Sequence, residues 1–147
     1  MGGFEYQWEE LANSAMTIEA AKEAYEMAGG RPEDTEVCEL HDASTYSELS
    51  HYEELEFCEY GEGGLCIDEG HSENGGITTV NPSGGLLSKG PPISATGVAQ
   101  IAEVTWQLRG ESGQRQQHGA KLGMAHTAGG EVTGLESGSV AIHILKR

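Results

Sequence analysis

The sequence predicts an α/β fold in which helices cover a layered, mixed β-sheet. Three patterns predict it: apolar residues recur at helical spacing in three segments, short β-prone runs separate these segments, and the chain ends in an alternating apolar run. The resulting order of elements, α-β-α-β-α-β-β, is typical of layered α/β domains. With 147 residues, the chain is expected to hold one domain at most.

The first predicted helix covers residues 17–28, where apolar side chains recur along one face. Thr17 is the candidate N-cap, and Gly29 is expected to end the helix. A short strand is then predicted over residues 36–40, although two glutamates interrupt its apolar pattern.

A second helix is predicted over residues 45–57, where Thr45 and Glu48 fit a capping box. A polar, glycine-rich loop is expected at 59–76. The β-prone run at 77–81 predicts the next strand.

The third predicted helix covers residues 96–108, with Thr96 as its candidate N-cap. Its single charged residue is Glu103, and a helix that is apolar nearly all round is typically buried. Two strands, at 120–126 and 138–145, are expected to complete a layered sheet around this buried central helix.

The acidic character of the chain is concentrated in its first half. Residues 1–75 hold 20 acidic and two basic side chains, whereas residues 76–147 hold four and six, and the whole chain carries a net charge of −16. This balance argues against nucleic acid as a partner, because phosphate binding needs a basic surface. A solvated acidic face, such as an adaptation to high salt, is favoured over a patch for a basic partner.

Cysteine and histidine spacing indicates neither a disulfide framework nor a metal site. Cys38, Cys58 and Cys66 are odd in number and lack C-x-x-C spacing, and no H-E-x-x-H pair occurs among the six histidines. No apolar run reaches the roughly 18 residues of a membrane span, and the N-terminus is not typical of a signal peptide. We therefore expect a soluble, cytoplasmic chain without a bound metal.

A first candidate for chemistry is His41, within the segment E-L-H-D-A-S, where a predicted strand leads into a helix. Catalytic groups of α/β sheets gather at the carboxyl ends of strands. A neutral imidazole there can donate a hydrogen bond to a developing oxyanion. A histidine held by local turn contacts is the alternative, and the sequence alone favours neither.

A second candidate is the glycine-rich segment N-P-S-G-G-L-L-S-K-G-P-P-I-S-A-T-G, over residues 81–97. Its glycines let backbone amides approach a ligand at a helix N-terminus, where negative charge is stabilised. The segment lacks the phosphate-binding pattern G-x-x-x-x-G-K-[ST]. A tight structural connection is therefore the competing interpretation.

Two further segments, W-Q-L-R-G at 106–110 and G-M-A-H-T-A-G-G at 123–130, complete an ordered set of four. Together the four segments resemble the C-terminal half of the thiolase family. The similarity is greatest to the branch of sterol-carrier-protein thiolases, lipid-transfer proteins and archaeal acetyl-CoA acetyltransferases. It runs over residues 15–147, and residues 1–14 form a lead-in.

The resemblance implies Claisen condensation or thiolysis of acyl-CoA thioesters, of the acetyl-CoA C-acetyltransferase type. In this family a cysteine takes the acyl group, a histidine in a G-H-P segment activates the cysteine, and further donors stabilise the oxyanion. His41 matches the first histidine of this set and His126 lies in the last segment, so both are candidate catalytic residues. The only small molecule implied is the coenzyme A thioester itself, with no cofactor and no metal. The loop residues expected to contact it are Asn81, Ser83, Gly84, Gly85, Gly90 and Gly97.

The family fold has five α-β-α-β-α layers made of two similar halves. The resemblance begins after the opening strand of the second half and implies that the nucleophile-bearing first half is absent. Helix 96–108 matches the helix that packs between the two sheets of the family. The partners implied are acyl-CoA, a separate N-terminal thiolase half, a second copy of the chain and a small OB-fold protein.

The sequence departs from the family at two catalytic positions. Pro91 replaces the histidine of G-H-P, and proline can neither accept nor donate a proton. Ala43 stands where the related loop carries a cysteine. Three hypotheses follow: a thiolase-like acyltransferase domain that is inactive as an isolated chain, a non-catalytic acyl-CoA-binding or partner subunit, and a non-functional gene fragment.

Overall fold

A computed structural model of the chain describes residues 14–133 and 136–147. Over these ranges, four strands form one mixed sheet with helices on both faces, which confirms the predicted layered α/β fold. The helices are α1 (Ala15–Ala28), α2 (Thr45–Glu54), α3 (Gly63–Asp68), α4 (Gly85–Lys89) and α5 (Thr96–Arg109). The strands are β1 (Val37–Glu39), β2 (Thr79–Val80), β3 (Leu122–Thr133) and β4 (Glu136–Lys146).

The strand order in the sheet is β2-β1-β3-β4. The short strand β1 is parallel to both β2 and β3, and β3 and β4 form a long antiparallel pair. Val37 pairs with Gly123, and Cys38 pairs with Met124. Because successive side chains of a strand point to opposite faces, these two pairs belong to different layers of the core.

Two clusters of buried side chains lie on the two faces of the sheet. One cluster packs α1, α2 and α3 against the sheet and comprises Ala21, Tyr25, Cys38, Leu40, Tyr52, Leu55, Cys66 and Met124. The other packs α5 against β1 and β3 and comprises Val37, Val104, Leu108, Ala120 and Ala125. The result is a three-layer arrangement with the sheet in the middle.

Helix α1 begins two residues earlier than predicted, at Ala15, whereas α2 begins at Thr45 as predicted and ends at Glu54, before the predicted end at residue 57. Ser14, not Thr17, caps α1, because its hydroxyl oxygen accepts the backbone N–H of Thr17 at 3.3 Å. Ser44, not Thr45, caps α2, and it accepts the N–H of Ser47 at 3.1 Å. Both predictions chose a threonine over a neighbouring serine that has the same capping chemistry.

Helix α5 confirms the predicted third helix, but its burial is one-sided. Val104 is buried against the sheet, whereas Val98 is 69% exposed and Trp106 is 46% exposed. The predicted N-cap is also wrong, because Ala95 occupies that position and the Thr96 hydroxyl donates to a preceding backbone carbonyl instead. The apolar composition of α5 therefore serves both a packed face and an open one.

The loops predicted at 59–76 and within 81–97 each contain a short helix, α3 and α4. Both helices have only five or six residues, too few for a periodic apolar pattern. Most of the predicted lead-in, residues 1–13, lies outside the described residues. Within the described ranges, no helix combines the length and apolarity needed to cross a bilayer.

Replacing Gly123 with alanine is expected to lower the free energy of unfolding by about 1–3 kcal/mol. A Cβ atom at this position would come within 2.6 Å of Val104 Cγ1 and 2.9 Å of Val37 Cγ1, and both valines are buried and stiff. Urea denaturation measures the effect. Gly129→Ala is the matched control on the same strand, because a Cβ there would meet only Ser139 Oγ at 4.0 Å. Equal losses in the two variants would contradict this account of the packing.

Candidate functional site

The principal cavity among the predicted site residues, the one that His41 and Gly97 line, has a volume of about 800 Å³ and lies beside the exposed face of α5. His41 and Ala43 reach it from the loop after β1, and Pro91 reaches it from the loop before α5. Thr127 of β3 and His143 of β4 line its floor. Most other lining side chains are apolar or small, a composition typical of small-molecule sites.

His41 is half-buried at the wall of this cavity. Its ring Nδ1 is buried and has no hydrogen-bond partner in the described part of the chain. Burial lowers the pKa of His41, and the nearby His51 lowers it further against the opposing effect of Asp42. The ring is therefore neutral at pH 7 and carries one N–H donor, as the sequence-based hypothesis requires.

His126 lies behind the sheet rather than in the cavity. It is fully buried, whereas its neighbours Ala125 and Thr127 line the cavity on the other face of β3. Its Nδ1 accepts the backbone N–H of His41 at 3.4 Å. Burial, together with His41 and His51, holds the pKa of His126 well below its usual range. The catalytic assignment of His126 stays a prediction, and the geometry places it behind His41.

The residues predicted to contact coenzyme A do not line one common cavity. Gly97 lines the principal cavity, and Gly85 and Gly90 line a smaller one of about 70 Å³. Asn81 holds the end of β1, because its Oδ1 accepts the backbone N–H of Leu40 at 2.8 Å. The remaining two residues of the predicted set, Ser83 and Gly84, line neither cavity.

Backbone amides of this loop are bonded to carboxylates of the chain itself. Asp42 accepts the N–H groups of Leu86 at 2.7 Å and Leu87 at 3.2 Å. Glu39 accepts both the N–H of Ser83, at 3.0 Å, and its hydroxyl, at 2.6 Å. Three amides of the glycine-rich segment thus have hydrogen-bond acceptors within the chain, as a connecting role requires. The contact with coenzyme A stays a prediction.

The three cysteines of the chain lie away from the cavity. Cys38 is buried in β1 and Cys66 in the cluster beneath α2, and Cys58 packs against that cluster. Burial raises the pKa of Cys38 and Cys66, and it raises that of Cys58 to about 12. A nucleophilic thiolate needs a lowered pKa and access to substrate, and none of the three has both.

Two further residues, His51 and Glu54 on α2, lie behind His126 and were not predicted from the sequence. His51 Nδ1 is 2.6 Å from Glu54 Oε2, and both side chains are buried. The His51 and His126 rings meet edge to face with centroids 4.5 Å apart. The i,i+3 spacing on a predicted helix was the available signal. No group of three or more histidine, cysteine or acidic residues suited to a metal ion occurs among the described residues.

The sequence as a whole matches one protein family over nearly its full length. The model of the family described as "Thiolase C-terminal domain-like" matches residues 5–146. The chain belongs to this family.

Among known proteins, the chain is similar to sterol carrier protein 2 of Oryctolagus cuniculus, with 52% identity over 114 residues. The aligned stretch is 78% of this chain and 21% of that protein. It is 47% identical over 131 residues to an acetyl-CoA acetyltransferase of Methanothermobacter thermautotrophicus. These residues are 89% of this chain and 33% of that protein. It also resembles a solved structure titled "Ltp2-ChsH2(DUF35) aldolase", with a TM-score of 0.72 and 28% sequence identity. The superposed region is 83% of this chain and 31% of that chain. The chain thus spans about a fifth to a third of the length of these relatives.

Lowering the pH from 7 to 5 is expected to reduce the free energy of unfolding of this thiolase C-terminal domain. Because the folded state holds the pKa of His41 and His126 below the ordinary histidine value, the unfolded chain binds more protons. The loss starts as the pH falls below about 6.5, the value for an unfolded histidine. Urea titrations across this range measure the slope.

The variant His126→Gln is expected to make this pH dependence shallower, because it removes the most strongly shifted of the two histidines. His118→Gln, at an exposed position, is the matched control. If both variants keep the slope of the unmodified chain, the buried His126 is not its source.

Proposed function

We propose that this chain forms one wall of an active site that acts on acyl-CoA thioesters by thiolase-like chemistry. The single observation behind this proposal is a half-buried, neutral His41 at the edge of an 800 Å³ cavity with a mostly apolar lining. The relative named acetyl-CoA acetyltransferase supports the substrate class, and the relatives named sterol carrier protein 2 support a link to lipid carriage.

In the proposed reaction, His41 donates its ring N–H to the thioester oxygen as negative charge develops there. Such a donor accelerates a reaction when it is already oriented and lies in surroundings of low polarity. Both conditions fit His41, because its backbone is held by His126 and the cavity lining is largely apolar. The role requires a neutral ring with one proton, which agrees with the lowered pKa.

The same proposal includes a second polypeptide that supplies the nucleophilic thiol. Ala43 and Pro91 line the cavity at the two positions where the family pattern carries a cysteine and a histidine. None of the three cysteines reaches the cavity. The isolated chain is therefore expected to bind thioesters without turning them over. The resembling aldolase structure, whose title joins Ltp2 with ChsH2(DUF35), supports a partner protein, and a small OB-fold protein and a second copy of the chain are further candidates.

The second candidate function is a non-catalytic subunit that binds acyl-CoA. Ala43 and Pro91 favour it, because neither side chain can exchange a proton with a substrate at the cavity wall. A non-functional gene fragment is the third possibility, and it predicts no binding of thioesters at all. Binding and turnover measured separately distinguish the three.

Binding of acetyl-CoA to the chain is expected to weaken at least about tenfold in the variant Ala141→Trp. Ala141 lines the cavity from β4, so an indole side chain there occupies the space proposed for the thioester. Isothermal titration calorimetry measures the affinity. Gln114→Trp, at an exposed position outside the cavity, is the control. Equal affinities of the two variants would place the thioester elsewhere, and no binding by the unmodified chain would remove the proposal.

Turnover is expected to rise by about 10²–10⁴-fold in the variant Pro91→His, when the chain is combined with a thiolase N-terminal half that carries the nucleophilic cysteine. The new imidazole restores a general base at the cavity wall. Acetyl-CoA thiolysis, followed as loss of acetoacetyl-CoA absorbance, measures it. Pro92→His, one residue further along the same wall, is the control. No gain over that control would show that a missing base does not limit the reaction.

A further inference from the structure

A row of buried polar side chains runs from α2 through the sheet to the cavity. It starts at Glu54, passes His51 and His126, and ends at the backbone of His41. Only the last residue of this row lines the cavity. The other three are buried behind it and take no part in the chemistry described above.

The carboxylate of Glu54 is the fixed end of the row. Its Oε1 accepts the backbone N–H of Ser14 at 2.7 Å and the hydroxyl of Ser50 at 2.9 Å. Its Oε2 lies 2.6 Å from His51 Nδ1. Burial alone raises the pKa of Glu54, but hydrogen bonds from His51, Ser14 and Ser50 outweigh it and hold the pKa below the ordinary value. The group is therefore ionised and accepts hydrogen bonds only.

The ionised carboxylate determines which nitrogen of His51 is protonated. Because Glu54 can only accept, His51 Nδ1 has to carry the proton of their hydrogen bond. The orientation of the His51 ring is thereby fixed, and its edge-to-face contact fixes the position of the His126 ring. The arrangement resembles other sites in which a carboxylate orients a histidine that orients a further group.

His126 connects this buried row to the cavity wall through its hydrogen bond with the His41 backbone. Its Nδ1 accepts the N–H of His41, so the proton of the neutral ring lies on Nε2, a buried atom without a hydrogen-bond partner in the described structure. The contact crosses 85 positions of the sequence and connects β3 to the loop after β1. A protonated Nδ1 would lose this bond and bring two donors together.

We propose that Glu54 and His51 are positioning residues that hold His126 as the Nδ1 acceptor of the His41 backbone, and thereby fix the orientation of His41 at the cavity. The function of His41 in this proposal rests on the thioester chemistry proposed above. The positioning itself is a property of the chain and is measurable without substrate. Neither Glu54 nor His51 contacts the cavity, so both act through His126 and His41.

Nitrogen-15 NMR of the imidazole rings in the full chain at pH 7 tests the proposal directly. The expected spectrum shows His51 protonated on Nδ1 and His126 protonated on Nε2 alone. A His126 ring protonated on Nδ1, or a His51 ring protonated on Nε2 alone, would overturn the proposal. This measurement needs no variant, so it decides the matter even if substitutions at these positions prevent folding.

The variant Glu54→Gln tests whether the carboxylate controls the distant end of the row. The Ser14 N–H and the Ser50 hydroxyl both donate to the Oε1 position, so they keep the amide oxygen there and turn the amide N–H toward His51 Nδ1. His51 Nδ1 then has to accept, and its proton moves to Nε2. We expect the His41 amide to exchange its hydrogen at least about tenfold faster in this variant, because the acceptor ring is less firmly held. Glu59→Gln, an exposed substitution of the same kind, is the control. Exchange at an unchanged rate and tautomers like those of the unmodified chain would contradict the proposal.

Acetyl-CoA binding, measured on the same variants, separates this proposal from the proposed function. If the unmodified chain shows the expected tautomers but binds no thioester, the proposed function fails and the positioning row stands. If the chain binds acetyl-CoA with the opposite tautomer of His126, the row fails and the proposed function stands. A loss of affinity in Glu54→Gln but not in Glu59→Gln supports both.

Discussion

The candidate site depends on the carboxylate of Asp42, which holds two loops together. Asp42 follows His41 directly, and its two oxygens accept the N–H groups of Leu86 and Leu87 at the start of α4. Hydrogen bonds to a buried charged group contribute about 1.5–3 kcal/mol each, more than neutral ones. Together with the bonds from Leu40 to Asn81 and from Ser83 to Glu39, they join the loop that carries His41 to the loop that leads to Pro91.

The close packing around Asp42 also explains why position 85 is a glycine. Gly85 has a φ of 63°, and a Cβ atom at this position would collide with the Asp42 carboxylate. Gly85 is therefore needed for the approach of a carboxylate from the chain itself. At the start of α4, the negative group that accepts the loop amides is thus part of the protein.

Part of the acidic excess of the first half consists of buried carboxylates that accept hydrogen bonds from the chain itself. Glu39, Asp42 and Glu54 are buried, and each accepts hydrogen bonds from at least two groups of the chain. In the second half of the chain, Glu103 is also buried, and it pairs with Arg115 at 2.9 Å. A solvated acidic face is thus an incomplete account of the charge pattern of the first half, because Glu39, Asp42 and Glu54 accept hydrogen bonds from loops and a helix cap instead of from water.

The sequence predicts the larger elements because their patterns extend over several turns or strand repeats. Helix α5 and the two terminal strands, β3 and β4, are confirmed, and the loop after β1 does bring His41 to a cavity. The short helices α3 and α4 escape prediction because one turn is too short to show a period. The hydrogen-bond partners of the loop amides could not be predicted either. Asp42 and Leu86 are 44 positions apart in the sequence, and no sequence pattern shows that they lie within hydrogen-bond distance.

His126 shows how one residue of register decides the role of a side chain. The motif around it suggested an active-site loop, but the structure places it in strand β3, which lines the cavity through Ala125 and Thr127. The alternation of a strand, however, turns His126 to the opposite face, where it meets His51. A resemblance between motifs carries over the position of the backbone more safely than the direction of a side chain.

The apolar character of the cavity and the neutral state of His41 support each other. A lining with few charged groups makes a hydrogen bond from His41 stronger than the same bond in water, and it also disfavours the protonated ring. The net charge of −16 works against long-range attraction of the phosphates of the proposed coenzyme A substrate. In the proposed function, contacts with the apolar wall, including the exposed Val98 of α5, contribute to its binding instead.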